Sequence, residues 1–432
     1  MRIKNLKEIG LKSKMTSENK FKYSNILLKE LLLEKPRNGL YKSIEYQGKG
    51  NRLIKMKTIF ENDIISNQKM ELIQVTKEEE EKFSCKTNDL VFSRTSIVFE
   101  GVGKCCIVDN ISDKPIFESN TFMIRLDPSK SVPKFYFYYF NSPQGRNNIY
   151  GIIRQTAASQ ITSSDLMELS IPYPLFSIQQ NVSSFLFSID QRIINLKQQN
   201  FILEMIIQSI FKSWFIDFDG ITEFEDSELG KIPKGWKITT LEEFVHYLVG
   251  FPFKSKEFYE GDDGIKLVRG DNVKEQKLVW GDKTRLWREV TTNLEKFLIK
   301  QNDVLIGMDG SKVGKNFAVV YDYDLPLLLV QRVARLRSKN EFCNEFIWQL
   351  IKNGSFTNYV EIVQTGSAIP HISKEQILDF PVLSPSENLI KKFHIITNPM
   401  RKVISENNHQ IIKLEKITDS LLPKLMSGEI QV

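Results

Sequence analysis

One internal offset constrains this chain more than any other feature. Lys104 and Lys315, each following a Val-Gly step, lie 211 residues apart. The same 211-residue offset links IKM at 54 to IKL at 265, FYFYYF at 135 to FIWQLI at 346, and Ile161-Thr162 to Ile372-Ser373. QTAAS at 155 and QTGSA at 364 match at 209, so short gaps fall between the anchors. Repetition over this distance means that the 432 residues hold two copies of one structural unit.

Both copies read in the same order. Short alternating apolar segments with Gly and Asp punctuation predict strands and loops. An aromatic helix follows, KFYFYYFNS or EFIWQLIKN, then a polar loop, an apolar strand and a long helical pattern. In the first copy Val182, Phe185, Ile189, Ile193, Leu196, Leu203, Ile207, Ile210 and Trp214 fall at three- and four-residue steps. In the second, Phe393, Ile396, Met400, Ile404, Ile411, Leu414, Ile417 and Leu421 do so. Each series makes one apolar stripe. A helix of nearly 40 residues spans roughly 55–60 Å, too long for one small domain to cover, so the other copy's helix is its expected partner. Ser384 and Glu387 suggest a capping box with Pro385 at the first helical position, and Gly428 a stop. Pro399 predicts a kink or break near Asn398, and Pro423 threatens the last turn.

The expected architecture is therefore α+β: two similar globular domains separated by two long antiparallel coiled-coil helices, with a pseudo-two-fold internal repeat. The boundaries expected are 1–175 for the first globular domain and 176–216 for its helix. A linker at 217–236, a second domain at 237–384 and a second helix at 385–432 follow.

Catalytic patterns are lacking. Asn398-Pro399-Met400 resembles a DNA amino-methyltransferase motif but lacks its second Pro and its aromatic residue. GSKVGK at 310–315 is one residue short of a phosphate-binding loop, and Asn316 stands where a Ser or Thr would hold magnesium. Asp263, Glu275 and Lys277 have only the loose spacing of a metal-dependent nuclease. No His lies near a Cys in a metal-ligand pattern, so neither metal nor cofactor is expected. Four cysteines without a framework, no apolar run long enough to span a membrane, and an N-terminus without a signal-peptide core together predict a cytoplasmic protein.

The net charge of +6 permits a nucleic-acid partner without demanding one. More telling is where the cations lie. Lys49, Arg52, Lys55, Arg94, Lys104, Arg146 and Arg154 cluster in Gly-containing loops of the first copy. Arg269, Lys312, Lys315, Arg332 and Arg335 do so in the second. Lys and Arg beside small residues suit phosphate contact, and Arg suits guanine edges. Arg94, Lys104, Arg154, Arg269, Lys312, Lys315 and Arg332 are the DNA-binding candidates.

KSWFIDFDG at 212–220 and SELGKIPKGWKITTLEEF at 227–244 resemble the central region of type I restriction-modification specificity subunits. QTGSAIPHISKEQILDFPVLSPSE and KITDSLLPKLMSGEI resemble the close of such a subunit's second domain and its terminal helix. The resemblance runs in order through nearly the whole chain, the first 25 residues excepted. It implies a non-catalytic subunit whose two target-recognition domains each read one half of a split, asymmetric site in double-stranded DNA. The helices would space the domains and dock two methyltransferase (M) subunits, which bring S-adenosylmethionine. Motor-nuclease (R) subunits would bring ATP and magnesium. Three other readings remain open at this point: a specificity subunit for a methylation-only or other restriction-like system, a helical scaffold with no DNA role, and a self-contained nuclease using Asp263, Glu275 and Lys277.

Overall fold

The computed structural model describes residues 23–155, 159–228, 230–261, 263–282, 284–365, 370–430 and 432. What was expected before Tyr23, and at the centres of the two Gln-Thr loops (156–158 and 366–369), lies outside the described residues. The chain folds as two compact units. Unit 1 is the described chain up to Ile193 together with Lys413–Val432; unit 2 is Ile194–Ile412. Each unit thus takes a globular part and a stretch of both long helices, where the sequence reading sets the helices apart as segments of their own.

Unit 1 is built on a five-stranded sheet in the order Arg37–Asn38, Thr121–Ile124, Leu90–Ser93, Cys105–Val108, Ile64–Ile65. Leu90–Ser93 and Cys105–Val108 are buried throughout, as an apolar run covered on both faces must be. Helices α1 (Met56–Glu61) and α2 (Lys77–Phe83) lie in the connections before them. The aromatic run becomes α3 (Pro133–Asn141), with Pro at its start, and Phe135 through Phe140 are all buried. Ser142 ends it and caps α4 (Pro143–Tyr150), accepting from the Gly145 N–H at 3.2 Å. Short α5 (Ser163–Met167) leads to the strand Ser170–Tyr173 and then to α6 (Phe176–Phe215).

Unit 2 repeats the frame with a four-stranded sheet: Val245–Val249, Val333–Ser338, Val304–Gly307, Phe317–Val319. Helices α7 (Asn344–Lys352), α8 (Ser355–Val363), α9 (Lys374–Leu378) and α10 (Glu387–Ser427) follow the order of α3 to α6. A smaller three-stranded sheet recurs too. Leu53 pairs in parallel with Ile116 in unit 1, and Leu267 with Leu328 in unit 2. Between the strands of that small sheet the copies diverge: unit 1 inserts α1, unit 2 the hairpin of Val273–Lys274 with Lys277–Leu278.

The repeat extends to single turns. Asn88 and Asn302 both adopt positive φ, at 75° and 68°. The following Asp89 and Asp303 are buried, and each accepts two bonds of 2.7 Å from one guanidinium, Arg125 or Arg337. Gly103 and Gly314 are left-handed as well, at φ 66° and 79°. A Cβ there would press on Ile149 of α4 at 2.5 Å, or on Val360 of α8 at 2.8 Å.

Several expectations are corrected. The IKM and IKL segments are not equivalent: Ile54 pairs with Phe117, whereas Ile265 pairs with Trp287 and Val268 with Leu329. Val268 holds the place of Ile54, three residues beyond the sequence match. Ser384 does not cap α10, because it closes a strand and pairs with Lys237; Ser386 receives the Leu389 N–H instead, at 3.4 Å. Nor does Pro399 break α10, which is a single 41-residue helix. Pro399 and the residue four before it, Ile395, are both exposed, so the missing donor falls on the solvent-facing side of the helix. Pro423 is likewise accommodated, and its carbonyl accepts from Gln144 at 2.8 Å. Gly428, at φ 72°, does end the helix.

Within each unit the helices supply one wall of the core and run antiparallel. In unit 1 Val182 and Leu186 share a core with Leu425 and Met426. In unit 2 Asn200 bonds Asn408 at 3.0 Å, Glu204 pairs with Arg401, and Phe211 meets Phe393. Of the expected stripe, Val182, Ile189, Ile193, Leu196, Ile207, Phe393, Ile404 and Ile411 are buried, whereas Ile396 is exposed. No helix among the described residues is long and apolar enough to cross a membrane.

Candidate nucleic-acid interface

Three loops meet at one end of each central sheet. In unit 2 the strand Val304–Gly307 runs into Met308, whose N–H donates to the Arg332 carbonyl at 3.0 Å and whose carbonyl accepts from Ile372 at 3.0 Å. In unit 1 Arg94 does the same with Asn120 at 2.8 Å and Ile161 at 3.0 Å. The connections after the central strand, before its neighbour and after α4 or α8 are thus stitched together by the same backbone bonds. Loops on a rigid sheet end of this kind are where binding residues concentrate.

Most of the seven candidate cations lie around these ends. In unit 2 Arg332 has positive φ, 68°, and a side chain 64% exposed. Its Nε lies 3.4 Å from Asp309 Oδ2, while Asp309 Oδ1 is 2.5 Å from His371 Nδ1. Lys312 pairs with Glu275 at 2.6 Å and lowers that carboxyl's pKa; Lys315 pairs with Glu361 at 3.0 Å. Such exposed pairs hold a side chain only weakly, leaving it free to exchange partners. Arg269 follows the strand Ile265–Val268 in the smaller sheet; it is half-buried, without a side-chain partner among the described residues.

In unit 1 Arg94 is half-buried, again without a side-chain partner among the described residues. Arg154 sits on a small ribbon in which Thr95 pairs with Gln160 and Gln160 with Arg154. It is exposed and bonds Asp165 at 2.6 Å, which lowers the Asp165 pKa. Lys104 behaves differently from its sequence counterpart. Its side chain is only 12% exposed, with Nζ 3.2 Å from Asp63 and 3.1 Å from the Phe60 carbonyl, whereas that of Lys315 is 51% exposed. Arg146 and Arg335, part of the wider basic set, are buried. Arg146 donates to the carbonyls of Glu100, Val102 and Gly103, bracing the loop that carries Lys104. Burial also lowers the pKa of Arg335.

The remaining candidates for chemistry are engaged elsewhere. Asp263 accepts from the Tyr259 hydroxyl at 2.9 Å, and Glu275 is held by Lys312. Among the described residues no group of His, Cys, Asp or Glu is gathered to hold a metal ion. All four cysteines are buried and free, and burial raises the pKa of each thiol.

Sequence reasoning passed over Asp309 and His371. Only the recurrence of the loop junction draws attention to them, and that recurrence is visible in backbone bonds, not in residue type.

Comparison with known proteins agrees with this architecture. The family model described as the type I restriction modification DNA specificity domain matches twice, at residues 34–204 and 233–416. The type I restriction enzyme MjaIX specificity subunit of Methanocaldococcus jannaschii is 27% identical over 332 residues, 74% of each chain. The HindI specificity subunit of Haemophilus influenzae is 23% identical over 81% of this chain and 88% of its own. The crystal structure of a type I restriction-modification S subunit from M. genitalium shares the fold, with a TM-score of 0.60 at 16% identity over 95% of this chain and 98% of that one. The chain therefore belongs to the type I restriction modification DNA specificity family, with one copy of the family's domain in each half.

Proposed function

We propose that the chain reads a split, asymmetric site in double-stranded DNA, each unit contacting one half-site through its three-loop end. The observation that carries this reading is duplication: two family matches, and two loop ends built on the same backbone bonds with exposed cations around them. Arg94 and Arg154 serve unit 1; Lys312, Lys315 and Arg332 serve unit 2; Arg269 flanks the latter. Lys104 contributes by holding its loop. A specificity subunit is a non-catalytic component. Methyl transfer, with S-adenosylmethionine, belongs to the methyltransferase subunits, and ATP- and magnesium-dependent cleavage to the motor-nuclease subunits, all in the cytoplasm.

For the methyltransferase we assign the outer face of α6. Phe201, Ile202, Met205 and Ile206 are exposed there at one-turn spacing, an apolar strip without a cover within unit 2. Because α10 contributes to the cores of both units, deleting it would unfold them; a surface substitution is the better probe.

The test is reconstitution with methyltransferase subunits and labelled methyl donor. Labelled DNA should appear only when the chain is present, and the chain alone should transfer nothing. Phe201→Glu with Met205→Glu should abolish co-elution while leaving the unfolding temperature within a few degrees. Methyl transfer by the chain alone, or intact assembly of the double variant, contradicts the respective assignment.

A further inference from the structure

The loop junction is the same in both units, but the three side chains at its centre are not. In unit 2 they are Asp309, Arg332 and His371; Asp309 and His371 form a backbone bridge, and Arg332 is the residue whose carbonyl receives Met308. In unit 1 the same bonds select Thr95, Asn120 and Gln160: Thr95 pairs with Gln160, and the Asn120 carbonyl receives Arg94. We propose that these three matched positions are the base-reading site of each unit, with unit 2 selecting a G·C pair and unit 1 an A·T pair. The assignment rests on the DNA-reading function above.

Chemistry separates the two sets. Arg332 comes nearest to Asp309 through Nε, at 3.4 Å, without a hydrogen bond. Its guanidinium makes no hydrogen bond among the described residues and its side chain is 64% exposed, which leaves the two parallel Nη donors available. Guanine offers two acceptors, O6 and N7, at matching spacing in the major groove. The structural pairs Asp89–Arg125 and Asp303–Arg337 bond through both Nε and Nη2 to a buried carboxylate. Asp309 is thus a positioning residue: it is held to His371 at 2.5 Å and draws Arg332 near by charge without taking up its fork of donors. Arg332 adopts positive φ, unusual for a non-glycine and typical of functional sites. Asn120 is exposed and Gln160 half-buried, and neither side chain has a hydrogen bond among the described residues. A carboxamide presents an NH2 donor group beside a carbonyl acceptor, the complement of adenine N7 and N6.

The test is selection of bound duplexes from a random library by the full chain, followed by sequencing. Arg332→Lys keeps the charge but loses the planar fork. It should keep overall affinity within about threefold while losing about tenfold of the preference for guanine at one position. Asp309→Asn should relax the same position. Asn120→Ala with Gln160→Ala should lose about tenfold of an adenine preference in the other half-site only. Circular dichroism melts identify any variant that fails to fold, and the other unit's half-site reports on the same molecules. Unchanged guanine preference in Arg332→Lys, or equal weakening on all sequences, overturns the base-reading role. If the unaltered chain selects no sequence at all, the DNA-reading function itself fails, a result distinct from an altered preference.

Discussion

The two units keep the same turns yet anchor their helices by different chemistry. In unit 2 Arg401 of α10 is buried, donates to both oxygens of Glu345 on α7 at 2.9 and 2.7 Å, and also reaches Glu204 on α6. Lys352 joins Glu204 at 2.6 Å. In unit 1 the residue 211 positions before Arg401 is Asp190, which accepts from the Tyr138 hydroxyl of α3 at 2.7 Å. A four-residue ionic network stands where unit 1 has an aspartate and a tyrosine at its centre. Conversely, the Asn turn, the buried Asp–Arg pair and the left-handed Gly beside a helix are identical in kind. Backbone geometry is therefore what the duplicated frame demands; side-chain pairing is replaceable provided that every buried charge finds a partner.

The largest difference between the units is expected at Arg401. Arg401→Ala strands Glu345 and part of Glu204 inside unit 2 and should cost about 3–5 kcal/mol. Asp190→Ala in unit 1 removes hydrogen bonding to one carboxylate and should cost about 1.5–3 kcal/mol. Denaturant unfolding of the full chain measures both; equal losses would mean that the two anchors are energetically alike.

The left-handed glycines should behave alike in the two units. Gly103→Ala and Gly314→Ala should each cost about 1–3 kcal/mol, through positive φ and the crowding of Ile149 or Val360, with little difference between units. A loss in one unit only would show that the turns are not equivalent.

Acid should distinguish the units further. Burial pushes the Glu204 pKa up, but Arg401 and Lys352 outweigh it and hold it below its ordinary 4.5. A depressed carboxylate stabilises the fold above that pH and loses its contribution as pH falls through the folded value. The stability gap between the unaltered chain and Glu204→Gln should therefore shrink below about pH 4.5. A gap that stays constant on acidification would remove Glu204 from the network.

The smallest effects are expected at the lysines. Lys315→Ala should change stability by less than about 1 kcal/mol and reduce the salt slope of DNA binding by about one. Lys104→Ala should instead lose about 1 kcal/mol of stability with little change in slope, because its side chain is turned inward to Asp63 and the Phe60 carbonyl. Identical slopes for the two variants would restore the symmetry that their sequence positions suggest.

Much of the frame was legible in the sequence. Helices α3 and α7 lie where the aromatic runs predicted them, and the strands before α6 and α10 fall at LSIPYP and DFPVLSP. Periodicity survives gaps, so the long helices could be read despite Pro399. The site was less legible. A Gly-Lys match cannot reveal that Asp63 draws one lysine inward. Asp309, Arg332 and His371 are scattered over 63 residues of sequence and come together only through backbone bonds between loops. IKM and IKL misled for a related reason: short apolar triplets recur freely, whereas strand register is fixed by pairing.

Two equivalent frames carrying unlike readers would leave a signature in the DNA that the chain prefers. The direct measurement is the consensus that the full chain selects from random duplex DNA. Two short specified blocks of different sequence are expected, separated by unspecified base pairs, with substitutions in one unit altering one block alone. A single block, or two blocks forming an inverted repeat of one sequence, would contradict that.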